Sequence, residues 1–157
     1  DAGAYELADP AMAAAARAHA MRLLDAGQSV LVQPYLASID TAGEAGLIFT
    51  GGRFSHAVTK GAMLGGHERE EVAGLYKAET IVYRAASADE LALAERVLAA
   101  VPGGPDRLLY ARVDLVPGDG GRPLLIELEL TEPSLFMGTA RGSEQRLAEA
   151  IVGALRS

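Results

Sequence analysis

Three carboxylates and a guanidinium sit inside two apolar segments of this chain, Tyr110-Ala-Arg-Val-Asp-Leu-Val116 and Leu124-Leu-Ile-Glu-Leu-Glu-Leu-Thr131. Side chains alternate across a strand, so Arg112 and Asp114 share one face of the first segment, and Glu127 and Glu129 share one face of the second. A tight turn about Gly120-Gly121, between Pro117 and Pro123, predicts Asp114 opposite Glu127 and Arg112 opposite Glu129. Ionised acids so close together repel, and one arginine cannot neutralise all of them. Either their pKa values rise or a divalent cation sits between them. Oxygen donors without cysteine or clustered histidine point to Mg²⁺ or Mn²⁺. Glu-Leu-Glu by itself would read as the wet face of an amphipathic strand; Arg-x-Asp on the facing strand is what turns the pattern toward chemistry.

The rest of the composition narrows the partners. Half of the residues are hydrophobic and 22% are charged, the balance of a globular protein with a real core. A net charge of -7 disfavours a nucleic-acid partner, which would need clustered Lys and Arg. The absence of cysteine excludes disulfides, thiolate metal sites and a cysteine nucleophile. No apolar run approaches the ~20 residues of a membrane span and no signal-peptide pattern opens the chain, so no membrane partner and a cytoplasmic location are expected. The first residue is Asp1, not Met, which suggests a piece of something longer.

Elements to position the acids can be read in order. Asp9-Pro10 caps a helix over Ala11 to Leu24. Ser29 to Leu36 reads as a strand, ending where Pro34 removes a ladder donor. Leu47 to Thr50 and Arg53 to Val58, joined by Gly51-Gly52, form a hairpin, and Lys60 follows it. Gly61 to Lys77 carries glycines and charges without apolar period and reads as a mobile loop, a candidate lid. Thr80 to Tyr83 suits a short strand, and Ser87-Ala-Asp-Glu90 is a capping box that opens a helix running to Pro102-Gly103. The carboxylate hairpin comes next, then a loop over Thr131 to Phe136. Ser143 to Leu155 closes the chain as a helix with Leu147, Ile151 and Leu155 on one face. Adjacent hairpins imply an α+β fold, an antiparallel sheet with helices on one side, in a single domain over residues 1–157.

The strand ending in Gln33-Pro34-Tyr35-Leu36, the hairpin leading to a basic residue, the glycine-bearing loop, and Arg-x-Asp followed by Glu-x-Glu together resemble the C-terminal part of the ATP-grasp ligases. The likeness is to the ATP-binding domain of prokaryotic glutathione synthetase and related peptide-type ligases, and it spans roughly Ser29 to Phe136. In that family the last acidic motif usually reads Glu-x-Asn and precedes a Thr-x-Pro-[Ser/Thr] loop; here Glu129 replaces the asparagine. The resemblance implies Asp114, Glu127 and Glu129 as metal-binding acids and Arg112 as a catalytic cation on the phosphate side. It implies Lys60 near the γ-phosphate, with Arg69 of the loop a weaker candidate. Gln33, Pro34, Tyr35 and Leu36 would meet the adenine, and Asp40, or failing that Glu44, the ribose hydroxyls. Ser134 would contact the substrate carboxylate, although it could equally form a turn.

What the resemblance implies for function is an ATP- and Mg²⁺-dependent carboxylate-amine ligase working through an acyl phosphate on small-molecule carboxylate and amine substrates. The N-terminal lobes would lie outside this chain, leaving the isolated piece inactive. Homo-oligomerisation stays open. Plainer readings stand beside these: a non-catalytic nucleotide- or divalent-cation-binding module, Gln33 to Leu36 as a mere strand end, Lys60 as a solvated lysine, and His56 as a residue pointing outward or making one hydrogen bond.

Overall fold

The computed structural model describes residues 3–61 and 80–156. The expected lid, Gly61 to Lys77 with Arg69, therefore lies beyond Gly61 outside the described residues. The chain falls into two compact units, Asp1–Leu36 and Ala37–Ser157.

The first unit is built on α1, Pro10–Asp25. The Asp9 carboxylate accepts from Ala11 N at 2.8 Å and satisfies an otherwise orphaned first-turn donor, while Pro10 supplies a preset φ. The strand expected over Ser29 to Leu36 is not formed: residues 28–36 have no regular structure, and Leu31 and Val32 are exposed. A β-propensity run becomes a strand only by pairing with another, and this unit contains no strand among its described residues.

The second unit is a five-stranded antiparallel sheet with helices, an α+β fold as expected. After a short helix α2, Ser38–Ala42, come β1, Glu44–Thr50; β2, Arg53–Lys60; and β3, Ile81–Arg84. Then follow α3, Ala88–Ala99; β4, Tyr110–Pro117; β5, Pro123–Glu129; and α4, Ser143–Ala154. The spatial order is β3-β2-β1-β4-β5, which makes β1 central and buries every one of its residues. Both hairpins therefore pair where the sequence placed them, and β1 brings them edge to edge.

Alternation divides the sheet into a dry face and a charged one. Ala45, Leu47, Phe49, Ala57, Ala111, Val113 and Leu115 form a buried core with Ala94 and Leu98 of α3. The α3 helix begins with the predicted capping box: Glu90 N donates to Ser87 Oγ, and Ser87 N donates to the Glu90 carboxylate. At the far end, α4 leaves Ile151 and Leu155 exposed, so the apolar stripe expected there is only partly covered.

Two irregularities in the ladders matter for the charged face. In β1–β2, Ile48 pairs with His56 but Phe49 pairs with Phe54, so Ser55 is an extra residue. In β4–β5, Asp114 pairs with Glu127 but Leu115 pairs with Leu125, so Ile126 is extra. Each bulge shifts the facing register by one and re-aims the side chains beyond it. Without them, Lys60 would not face Glu44, nor Asp114 face Glu127.

Candidate functional site

The charged face gathers Glu44 of β1, Lys60 of β2, Arg112 and Asp114 of β4, and Glu127 and Glu129 of β5. Gly46 lies between β2 and β4, paired with Val58 on one side and Asp114 on the other. A Cβ at Gly46 would come within 3.2 Å of both Asp114 Oδ1 and Val58 Cγ2, so the missing side chain is what admits the ion pair. Asp114 is fully buried, and its carboxylate accepts from Arg112 Nε at 2.9 Å, Arg112 Nη2 at 2.8 Å and Lys60 Nζ at 3.0 Å. Lys60 Nζ also donates to Glu44 at 2.5 Å.

Arg112 holds the second hairpin strand to this centre. Its Nη2 donates to Glu129 as well and stands 3.9 Å from Glu127. Nη1 donates to the Ser134 carbonyl at 3.2 Å, and the guanidinium lies over the Phe136 ring at 5.6 Å. The loop after β5 is thus fastened to Arg112 from above. His56, also buried, fixes the same loop from the β2 side through Nε2, which donates to Leu135 O at 3.1 Å.

Protonation follows from this packing. Burial disfavours a charged Lys60, yet the Glu44 hydrogen bond and the charge of Asp114 outweigh it and hold the ammonium above its usual pKa. Arg112 is likewise raised: burial opposes its charge, but the hydrogen bonds to Asp114 prevail. Burial and then the neighbouring charges of Glu129 and Asp114 push Glu127 up, only partly offset by Lys60 and Arg112. Burial lowers His56, which is therefore neutral near pH 7.

Among the described residues, four carboxylates face two cations here, an excess of negative charge. One oxygen each from Asp114, Glu127 and Glu129 lies within 4.8 Å of the others, a spacing and donor type suited to a hard divalent ion. The three are not equivalent. Both Asp114 oxygens are already engaged by Arg112 and Lys60, whereas the Glu127 side chain is half exposed, accessible to an incoming ion.

The remaining expected residues fall elsewhere. Asp40 lies exposed on α2, and Glu44 is buried against Lys60. Ser134 is engaged through its carbonyl, while its side chain is exposed. Gln33, Pro34, Tyr35 and Leu36 belong to the first unit. Sequence reasoning missed Gly46 altogether, and missed the Glu44–Lys60 pair because it ended the first hairpin at Val58 and because the bulge at Ser55 shifts the register: unbroken counting from Gly51-Gly52 sets Thr59, not Lys60, opposite Glu44.

No protein-family model matches the chain. It is 39% identical over 151 residues to the cycloserine biosynthesis protein DcsG of Streptomyces lavendulae, covering 92% of this chain and 48% of that protein. The crystal structure of D-cycloserine synthetase DcsG superposes with a TM-score of 0.75 at 35% identity, over 92% of this chain and 49% of that one. D-alanine–D-alanine ligase from Bacillus anthracis, crystallised with ATP, superposes at a TM-score of 0.52 and 15% identity, over 91% of this chain and 47% of that one; this likeness concerns fold alone. The fold is that of an ATP-grasp ligase fragment. The chain spans about half the length of the DcsG proteins it matches.

Proposed function

We propose that the chain is the ATP- and Mg²⁺-binding catalytic portion, residues 1–157, of a carboxylate-amine ligase that works through an acyl phosphate. The observation that supports this reading is the convergence of Asp114, Glu127 and Glu129 beside Arg112, within a fold shared with ligases. Small carboxylate and amine substrates follow from that reaction. The relatives' names speak for amino-acid-derived molecules, and the motif order for a glutathione synthetase-like arrangement. The need for ATP would place the reaction in the cytoplasm.

Phosphoryl transfer asks little covalent chemistry of a protein; it asks for positioning and for charge where charge develops. A bound Mg²⁺ would supply charge neutralisation on phosphate oxygens, with Glu127 and Glu129 as its accessible holders and Asp114 behind them. Arg112, fixed by Asp114, Glu129 and the Ser134 carbonyl, presents a guanidinium that needs no reorganisation. Lys60 works from the rear by keeping Asp114 and Glu44 in place. Gln33 to Leu36 and Asp40 would serve adenine and ribose, and Ser134 the substrate carboxylate.

Glu127→Gln keeps the shape and removes one donor charge. It is expected to weaken Mn²⁺ binding, read by electron paramagnetic resonance, about tenfold or more, and to abolish ATP-dependent phosphate release by the protein that carries this segment. Wild-type release from the variant would overturn the reading. Tight Mn²⁺ binding with no phosphate release in any longer protein containing this chain would instead favour a cation- or nucleotide-binding module.

A further inference from the structure

A groove of about 420 Å³ lies beside β2 and β3, lined by Ser55, His56, Tyr83, Thr139, Arg141 and Arg146. The groove and the acidic cluster hold the same residue 134–136 loop: Arg112 takes hold of Ser134 O and Phe136, while His56 takes hold of Leu135 O. Two guanidiniums border it, and among the described residues neither pairs with a carboxylate. Arg146 donates through Nε to Ser55 Oγ at 2.9 Å and through Nη1 to the Arg141 carbonyl at 3.3 Å, leaving Nη2 without an acceptor among the described residues. Arg141 is exposed, and its side chain has no hydrogen-bond or ion-pair partner among the described residues. Glu144, the nearest acid in sequence, accepts from Ser143 Oγ. In a chain of net charge -7, two arginines without a carboxylate partner among the described residues, in one concave site with hydroxyls from Ser55, Thr139 and Tyr83, are conspicuous, although the charge of Glu144 reaches His56 there. A planar guanidinium presents paired donors that match the oxygens of a carboxylate or a phosphate.

The polar chain leading out of the groove has only one direction. Leu135 O can only accept, so His56 Nε2 carries the hydrogen; the ring is neutral, so Nδ1 accepts from the Ser55 hydroxyl at 2.9 Å. Ser55 Oγ in turn accepts from Arg146, which cannot accept anything. Arg146, Ser55, His56 and Leu135 therefore form an oriented series from the groove to the loop that rests on Arg112. Ser55 can take part because it is the extra residue of the β1–β2 bulge.

We propose that this groove binds a small oxyanion, the carboxylate or phosphoryl group of a small molecule, on Arg141 and Arg146, and that its occupancy is transmitted through Ser55 and His56 to the loop on Arg112. The proposal does not depend on the ligase reading, because neither guanidinium belongs to the acidic cluster.

The test is nuclear magnetic resonance of the chain with labelled arginine and histidine, titrated separately with succinate and with inorganic phosphate. Saturable shifts are expected at Arg146 Nε–H and the His56 ring nitrogens, with Arg112 Nε–H following at the same midpoint. Arg141→Gln, at an exposed side chain outside the relay, should weaken binding about tenfold, the worth of one charged hydrogen-bonding partner. Ser55→Ala should leave a midpoint for Arg146 but uncouple Arg112 from it. Tighter succinate binding assigns a carboxylate ligand and tighter phosphate binding a phosphoryl one. Absence of saturation with both probes, shifts confined to Arg112, or an unchanged midpoint in Arg141→Gln would overturn the site; Arg112 still following in Ser55→Ala would overturn the relay. Mn²⁺ binding in the same samples reports the acidic cluster independently, so failure of one reading leaves the other standing.

Discussion

The two faces of one sheet solve opposite problems with alternate residues of the same strands. On the dry face, Leu47, Val113, Leu115 and Leu98 exclude water and gain stability in proportion to the apolar area they hide. On the other face, Lys60, Arg112, Asp114 and Glu44 are almost as deeply buried but are charged. Burying such groups forfeits hydration that their mutual attraction repays only with good geometry. The dry face accounts for why the unit folds, and the charged face for why it would be kept in this form.

Breaking one charged partner should therefore have the largest effect on the contrast. Asp114→Ala leaves Arg112 and Lys60 buried without their shared acceptor, a loss of about 3–5 kcal/mol, measurable as a fall in the denaturant midpoint. A loss below about 1 kcal/mol would mean that the cations relax into water and that the face is not electrostatically locked. On the dry side, Leu98→Ala removes a side chain only 1% exposed and should cost about 2–5 kcal/mol. The informative readout is Mn²⁺ affinity: it should stay at the wild-type value, because the two faces share strands but not side-chain contacts. A parallel loss of metal binding would show that the separation is false. Ser87→Ala, which removes the α3 cap, should cost about 1 kcal/mol and likewise spare the metal.

Much of this contrast was legible in the sequence, and the rest was hidden by two single residues. The Pro117–Pro123 turn was expected to centre on Gly120-Gly121, which by itself would put Asp114 opposite Glu127. The turn in fact centres on Gly120, pairing Pro117 with Pro123, and the bulge at Ile126 restores the Asp114–Glu127 pairing. The right neighbours were thus predicted from the wrong turn. At Ser55 the bulge worked the other way: simple counting from Gly51-Gly52 gives no reason to oppose Lys60 to Glu44. Alternation patterns report which face a residue prefers, not where an extra residue is inserted. Leu31 and Val32 show the opposite limit, a local preference for strand that no partner among the described residues satisfies.

Glu127→Gln gives the smallest effect on stability and the sharpest test of what the charged face is for. In the folded chain the Glu127 pKa stands above its usual 4.5, because burial and the charges of Glu129 and Asp114 favour the protonated form. A raised folded pKa means that the native state binds the proton more tightly than the unfolded chain does. The resulting stabilisation is complete below the unfolded pKa and is lost as pH rises through the folded one. At neutral pH the metal-free protein consequently carries a repelled carboxylate. Glutamine cannot ionise, so the metal-free variant should be at least as stable as the parent near pH 7, and its relative advantage should shrink as pH falls through the acidic range. Adding Mg²⁺ should reverse the order, since only the parent has the full acidic set with which to gain stability by binding. Thermal midpoints with chelator and with Mg²⁺, across pH, measure both signs at once. A metal-free variant less stable than the parent at neutral pH would mean that Glu127 is a structural partner of Arg112 and not a charge held in reserve for a cation.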